Sequence, residues 1–172
     1  DLPEDLVKAL GITVVPVYVH FGTKIYRDGL DIDTDEFYRR LLANGNKPPT
    51  TTSPLPTDYA RVYEELSKDT DEIFSIHMAS TLSGSYNAAV MGQELALARR
   101  EIDIEVLDSQ SISMGLGMLT VAAAQFAEKG SSVFRVRSQV EKMLKQVKLI
   151  GFIDTLKYLL TSGKMIKGNG HI

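Results

Sequence analysis

The sequence predicts an α/β fold in which a parallel sheet is flanked by helices. Two observations carry this reading. From residue 72 onward, short runs rich in β-branched and aliphatic residues alternate with longer helical stretches, the order that a parallel sheet with crossover helices requires. The 172 residues, 44% of them hydrophobic, are enough for one domain with a sizeable core, or for one domain and part of another. The expected division is an α/β domain over residues 1–150 and the start of a second α/β domain over 151–172.

Residues 3–10 read as a short helix, with Pro3 in the first turn, acids behind it and Gly11 to close it. The β-branched run 12–20 is predicted as a strand; Gly22-Thr23-Lys24 turns the chain, and residues 24–27 return as a second strand. Asp33 is placed to cap a helix reaching about Ala43, with Glu36 at the capping-box position and Asn44-Gly45-Asn46 ending it. The next segment, Lys47-Pro48-Pro49-Thr50-Thr51-Thr52-Ser53-Pro54-Leu55-Pro56, holds four prolines and four hydroxyl side chains in ten positions. That composition excludes a helix or an interior strand and predicts a stiff polar loop.

Thr57 is expected to cap a helix over residues 58–67. Residues 72–78 are predicted as a strand, 85–98 as a helix, 102–107 as a strand and 113–128 as an Ala-rich helix. Ser131 or Ser132 starts a further helix to about Gln146. A strand over 149–153 and a short helix over 155–160 complete the reading.

Composition narrows the function classes. Nineteen basic against 22 acidic residues give a formal net charge of −3, which offers no footprint for nucleic acid and no polybasic signal for a membrane surface beyond transient contact. No cysteine is present, so disulfides, thiolate catalysis and cysteine zinc sites are excluded. No apolar run reaches the length of a transmembrane helix, and the acidic start, Asp1 to Leu6, bears no likeness to a signal peptide. The expectation is a soluble cytoplasmic protein. His20, His77 and His171 lack metal-ligand spacing to one another, and no cofactor or metal is expected. A Gly-x-Ser-x-Gly elbow and a lysine-bearing phosphate loop are both missing from the sequence.

Ligands of open α/β sheets bind outside the carboxyl ends of the strands, and two segments fall there. Met78 to Tyr86 follows a strand and opens a helix through Ser83-Gly84-Ser85. Small residues leave backbone N–H groups uncovered at the helix start, where the dipole favours an anion. The plainer reading makes Ser83 or Ser85 simply an N-cap. Asp108 to Gly117 joins the next strand to the next helix. There Asp108 can fix the loop by bonding backbone N–H groups, while Gly115 and Gly117 allow close packing of the helix on the sheet. Ser109 and Ser113 belong to this secondary loop. Thr50 to Thr52, flanked by prolines, form the third candidate, because rigid hydroxyls lose little entropy on binding. His20 and His77 fall in predicted strands as core or strand-edge histidines.

Taken together these segments resemble the DegV family. Asp1-Leu2-Pro3 matches the end of the family's Asp-Ser-x-x-Asp-Leu-Pro, as if the chain were cut inside that motif. Thr51-Thr52-Ser53-Pro54-Leu55-Pro56 matches its Thr-Ser-Gln-Pro-x-Pro loop, with Ser53 in place of glutamine. Ser80-Thr81-Leu82-Ser83-Gly84-Ser85-Tyr86 matches its Ser-x-Leu-Ser-Gly-Thr-Tyr turn, with Ser85 in place of threonine. Asp108, Ser109, Ser113, Gly115 and Gly117 match its Asp-Ser-x-x-x-Ser-x-Gly-x-Gly. Asp154-Thr155-Leu156-Lys157-Tyr158-Leu159 matches its Asp-Thr-Leu-x-Tyr-Leu, and Lys164 stands where the family has arginine.

The resemblance implies a DegV-like first domain and the beginning of a second, lipid-binding one, incomplete in this chain, with a long-chain fatty acid buried between them. It implies that Thr51 and Ser83 bind the carboxylate, supported by Thr52, Gly84 and Ser85. It also implies a non-enzymatic carrier that presents the acid to a separate ATP-binding fatty acid kinase subunit for acyl phosphate formation. The rival reading is an α/β enzyme that binds a small phosphorylated substrate at Ser83-Gly84-Ser85, with His77 as its base. A third reading has capped helices and no ligand.

Overall fold

The computed structural model describes residues 1–43 and 48–152. The chain forms two compact units. One comprises Asp1–Val15 and Ser53–Leu149; the other contains Pro16–Thr52.

The first unit opens with α1 (Glu4–Ala9), which starts behind Pro3 and ends at Gly11 with a positive φ of 60°. It resumes with α3 (Pro56–Leu66), β4 (Glu72–His77), α4 (Ser85–Leu97), β5 (Asp103–Asp108), α5 (Ser113–Glu128) and α6 (Val133–Leu144). Strands β4 and β5 pair in parallel, from Glu72 opposite Asp103 to His77 opposite Asp108. This is the parallel sheet that the strand–helix alternation predicts.

Side chains alternate across a strand, so the two faces of this sheet bury different partners. Ile73, Ile104 and Val106 join Tyr59 and Tyr63 of α3 and Ala89 and Ala96 of α4 in one core. Phe74, Ile76 and Leu107 face a second core with Leu119 and Ala123 of α5 and Val136 and Val140 of α6. The unit is thus a helix–sheet–helix sandwich, its strands apolar on both faces as parallel strands are. Helices α3 and α4 approach closely because α4 turns Ser85, Ala89, Gly92 and Ala96 inward. A Cβ at Gly92 would lie 2.6 Å from the Tyr59 Cβ and 2.8 Å from the Pro56 carbonyl oxygen.

The second unit holds β1 (Tyr18–Phe21), β2 (Lys24–Arg27), α2 (Thr34–Ala43) and β3 (Thr50–Thr52). Its sheet has the order β2-β1-β3, all antiparallel. Gly22, with φ 64°, opens the two-residue turn between β1 and β2, which suits the twist of a hairpin. Asp33 accepts the Glu36 N–H at 2.8 Å and starts α2 as expected. The Glu36 carboxylate, rather than closing a capping box, pairs with Arg39 and Arg40.

Four expectations are corrected. The first strand does not begin at residue 12: ladder pairing starts at Tyr18, past Pro16, which has no N–H to donate. The threonine segment is not a loop but the three-residue strand β3. It lies at the sheet edge, where flanking prolines are tolerated. Helix α3 begins at Pro56 rather than at a Thr57 cap. Proline suits the first helical position, and the Asp58 carboxylate accepts the Leu55 N–H at 3.0 Å. Residues 149–152 form no strand; the remainder of that expected strand, the helix over 155–160, Lys164 and His171 lie outside the described residues.

Candidate functional site

The carboxyl ends of β4 and β5 carry two loops that are bonded to each other. The Ala79 N–H donates to the Ser111 carbonyl at 2.8 Å. The Asp108 carboxylate accepts the Ser80 N–H at 3.2 Å and the Gln110 N–H at 2.8 Å. These are the backbone bonds expected of Asp108, and they fix the β4–α4 turn against the β5–α5 loop.

Ser109 is buried; its hydroxyl donates to the Ser111 carbonyl and accepts the Ser111 N–H, both at 3.2 Å. Gln110 and Ser113 adopt left-handed backbone, with φ 51° and 50°, a conformation that side chains with a Cβ resist. The close approaches in α5 are also specific. A Cβ at Gly115 would lie 2.1 Å from the Ser111 hydroxyl, and one at Gly117 would lie 3.1 Å from Leu2. Both glycines therefore admit the loop and the residue before α1, rather than a strand as the sequence suggests.

The serine turn is built around one hydroxyl. Ser83 Oγ accepts the Ser85 backbone N–H at 3.2 Å and lies 2.9 Å from Ser85 Oγ and 3.2 Å from Ser53 Oγ. Helix α4 starts immediately after Gly84, where the first backbone N–H groups lack intrahelical acceptors, and that of Ser85 is taken by Ser83 Oγ. Ser85 is only 5% exposed, and Tyr59 of α3 is buried as well. Gly84 is exposed, and a Cβ there would meet Ser53 Oγ at 3.4 Å. Three hydroxyls, a helix N-terminus and a bare glycine form a compact donor site that suits an oxyanion.

Among the described residues, no group of His, Asp and Glu side chains could hold a metal ion, and no helix is long and apolar enough to cross a membrane. A cavity of about 260 Å³ lined by Thr70, Glu72, Phe74 and Val136 lies at the opposite end of β4, away from the serine turn.

Of the sequence-predicted residues, Ser83, Gly84 and Ser85 therefore stand together, with Asp108 at the end of β5, Ser109 in the adjoining loop and Ser113 at the start of α5. Thr51 and Thr52 belong to the second unit. Thr51 pairs with Val19 and Thr52 with Tyr18 across the β1–β3 ladder, so successive threonines face opposite sides of the sheet. Thr52 Oγ1 is engaged by His20 Nε2 at 2.9 Å, while Thr51 is exposed. The residue of the proline-flanked segment that touches the serine turn is Ser53, absent from the sequence-predicted site. The available signal was its own hydroxyl, next to Pro54.

His77 is a satisfied core histidine. It is 8% exposed, its Nε2 lies 2.8 Å from Ser75 Oγ, and Ser75 accepts the Tyr63 hydroxyl at 2.7 Å. Burial pushes its pKa down to about 4, against a smaller opposing pull from Asp108. Only 8% exposed and bonded to Ser75, it is poorly placed to be the base named first for the phosphorylated-substrate reading.

Known proteins agree with this architecture. The model of the DegV family, described as uncharacterised protein, matches residues 1–172. A DegV domain-containing protein of Caldanaerobacter subterraneus subsp. tengcongensis is 39% identical over 96% of this chain and 57% of that relative. The solved structure of a fatty-acid-binding DegV family protein from Thermus thermophilus is similar with a TM-score of 0.78 and 35% identity, covering 95% of this chain and 56% of that one. DegV of Bacillus subtilis, a fatty acid binding protein, is similar with a TM-score of 0.77 and 28% identity, over 84% and 50% of the two chains. The chain thus spans a little over half the length of the curated relative. With the family model spanning residues 1–172 and the solved DegV structure covering 95% of the chain, the chain belongs to the DegV family.

Proposed function

We propose that this chain is the carboxylate-gripping part of a fatty-acid carrier, which presents its bound acid to a separate ATP-binding kinase subunit for conversion to acyl phosphate. The observation that carries the reading is the cluster of Ser53, Ser83 and Ser85 hydroxyls at the N-terminus of α4. A buried carboxylate must be richly hydrogen-bonded, and neutral donors aligned with a helix dipole do this. They leave the carboxylate with its charge, hence still a nucleophile toward a phosphoryl group brought by another subunit. The similarity to the Thermus thermophilus and Bacillus subtilis proteins supports the ligand class.

In this reading Ser83 is the principal ligand, with Ser85 and the bare Gly84 shaping the site, and Asp108, Ser109 and Ser113 holding the adjacent loop. The family resemblance adds Thr51, with Thr52 in support, as further carboxylate ligands; Thr52 Oγ1 is engaged by His20 Nε2. The carrier works in the cytoplasm, where acyl phosphate is made and used.

Native mass spectrometry of the full-length protein as purified from a bacterial host, followed by organic extraction, tests the reading. An added mass matching a long-chain fatty acid is expected. A bare polypeptide mass with no uptake of added oleate or palmitate would overturn it.

A further inference from the structure

The serine cluster has more partners than a ligand-bound site can keep. A hydroxyl has one proton and two lone pairs. At Ser83, one lone pair takes the Ser85 backbone N–H. The remaining lone pair and the proton are shared between two further hydroxyls, those of Ser85 at 2.9 Å and Ser53 at 3.2 Å. Ser83 is therefore saturated as it stands. One neighbour must donate to it and the other must accept from it.

A carboxylate is acceptor-only. To bind Ser83 it must take that residue's proton, which displaces whichever hydroxyl was accepting it. Ser85 is 5% exposed and lies 2.9 Å from Ser83 Oγ, whereas Ser53 is only half-buried and makes the longer contact of 3.2 Å. Ser85 donating to Ser83 and Ser83 to Ser53 is the direction that keeps the shorter, more buried contact, and it leaves Ser53 as the outermost acceptor. When an anion replaces it there, the Ser53 hydroxyl is left with a proton of its own beside that anion. Nothing bulky stops it from turning: its neighbour across the turn is Gly84, whose absent Cβ would have stood 3.4 Å from Ser53 Oγ.

We infer that Ser53 is a further ligand-binding residue of this site: it holds the carboxylate's place at Ser83 in the free protein and then donates its own proton to the second carboxylate oxygen. This rests on the carrier reading above and adds to it a two-oxygen grip by Ser83 and Ser53.

The test compares a charged and an uncharged headgroup on one acyl chain. Delipidated full-length protein is titrated with oleate and with oleyl alcohol, in wild type, Ser53→Ala and Ser53→Thr. A charge-assisted hydrogen bond lost from a desolvated site predicts an oleate affinity about tenfold weaker in Ser53→Ala. Oleyl alcohol binding should stay within roughly a factor of two. Ser53→Thr, which keeps the hydroxyl, should restore oleate binding.

Unchanged or tighter oleate binding by Ser53→Ala would reduce Ser53 to a placeholder and overturn the inference. Equal losses for oleate and the alcohol would make its role merely structural and overturn it too. A wild-type protein that takes up neither ligand would instead bring down the carrier reading itself.

Discussion

At the scale of single residues, His77 makes the fold depend on pH. Its pKa is pushed down to about 4 in the folded chain by burial, against an ordinary value of about 6.5 when unfolded. Between those values the unfolded chain holds the proton and the folded chain does not, so stability rises with pH across this window and is lost as acid is added. Above pH 6.5 the contribution is flat, since neither state binds the proton. The slope from this one group is at most about 1.4 kcal/mol per pH unit. Urea unfolding of the wild type and of His77→Asn at intervals from pH 7.5 to pH 4.5 measures it. The wild type should lose the more stability on acidification, and the two curves should converge in slope above pH 6.5. Parallel curves throughout would show that the imidazole is not held neutral. Its strand position pointed to a core histidine, and its surroundings agree: Ser75, Tyr63 and the Tyr59 ring, whose centroid lies 5.2 Å from that of the imidazole.

At the scale of elements, the seam between α3 and α4 sets the site's geometry, because α3 supplies Tyr59 and α4 begins at Ser85. Gly92 lets the two helices touch. Gly92→Ala places a methyl 2.6 Å from the Tyr59 Cβ and 2.8 Å from a backbone oxygen, neither the free end of a flexible chain. Overpacking of this kind costs about 1–3 kcal/mol, against which the helix-propensity gain of alanine over glycine is about 1 kcal/mol at most. Thermal or urea unfolding should therefore show net destabilisation. Met91→Ala, one position along and 55% exposed, should change stability by less than about 0.5 kcal/mol. If Gly92→Ala were the more stable protein, the close packing of α3 on α4 would be wrong.

The same scale shows what the sequence made legible. The alternation of β4, α4, β5 and α5 could be read because each strand is apolar on both faces and each helix follows a short polar joint. The threonine segment was misread because its prolines forbid an interior strand yet permit an edge one. Only the pairing of Thr50–Thr52 with β1 tells these apart, and that pairing is made with Tyr18 to His20, far upstream in the chain. The placement of Ser83, Gly84 and Ser85 at the start of α4 was legible because small hydroxyl residues before a helix are a local signal. Ser53 was not, since its contact spans 30 positions and no local pattern encodes that distance.

At the scale of the whole molecule, a carrier separates two tasks that leave different marks on affinity. The acyl tail contributes roughly 0.8 kcal/mol for each CH₂ removed from water, which is about fourfold in Kd. On the proposed function, the headgroup would contribute a fixed amount set by Ser83 and its neighbours. Contributions from distant, independent contacts add, so a plot of log Kd against chain length for saturated acids should be a straight line until the tail outgrows its cavity. Ser83→Ala should move that line bodily to weaker binding, by about tenfold or more for loss of a charge-assisted bond, without changing its slope. The full-length protein, delipidated and titrated with acids from twelve to eighteen carbons, gives both quantities from one set of isotherms. A changed slope in Ser83→Ala would mean that the serine turn contacts the tail rather than the carboxylate. A flat wild-type line would mean that the tail is not buried at all. A parallel shift is the outcome that assigns the polar end of the ligand to the α4 N-terminus and leaves the tail's selectivity to surfaces elsewhere in the protein.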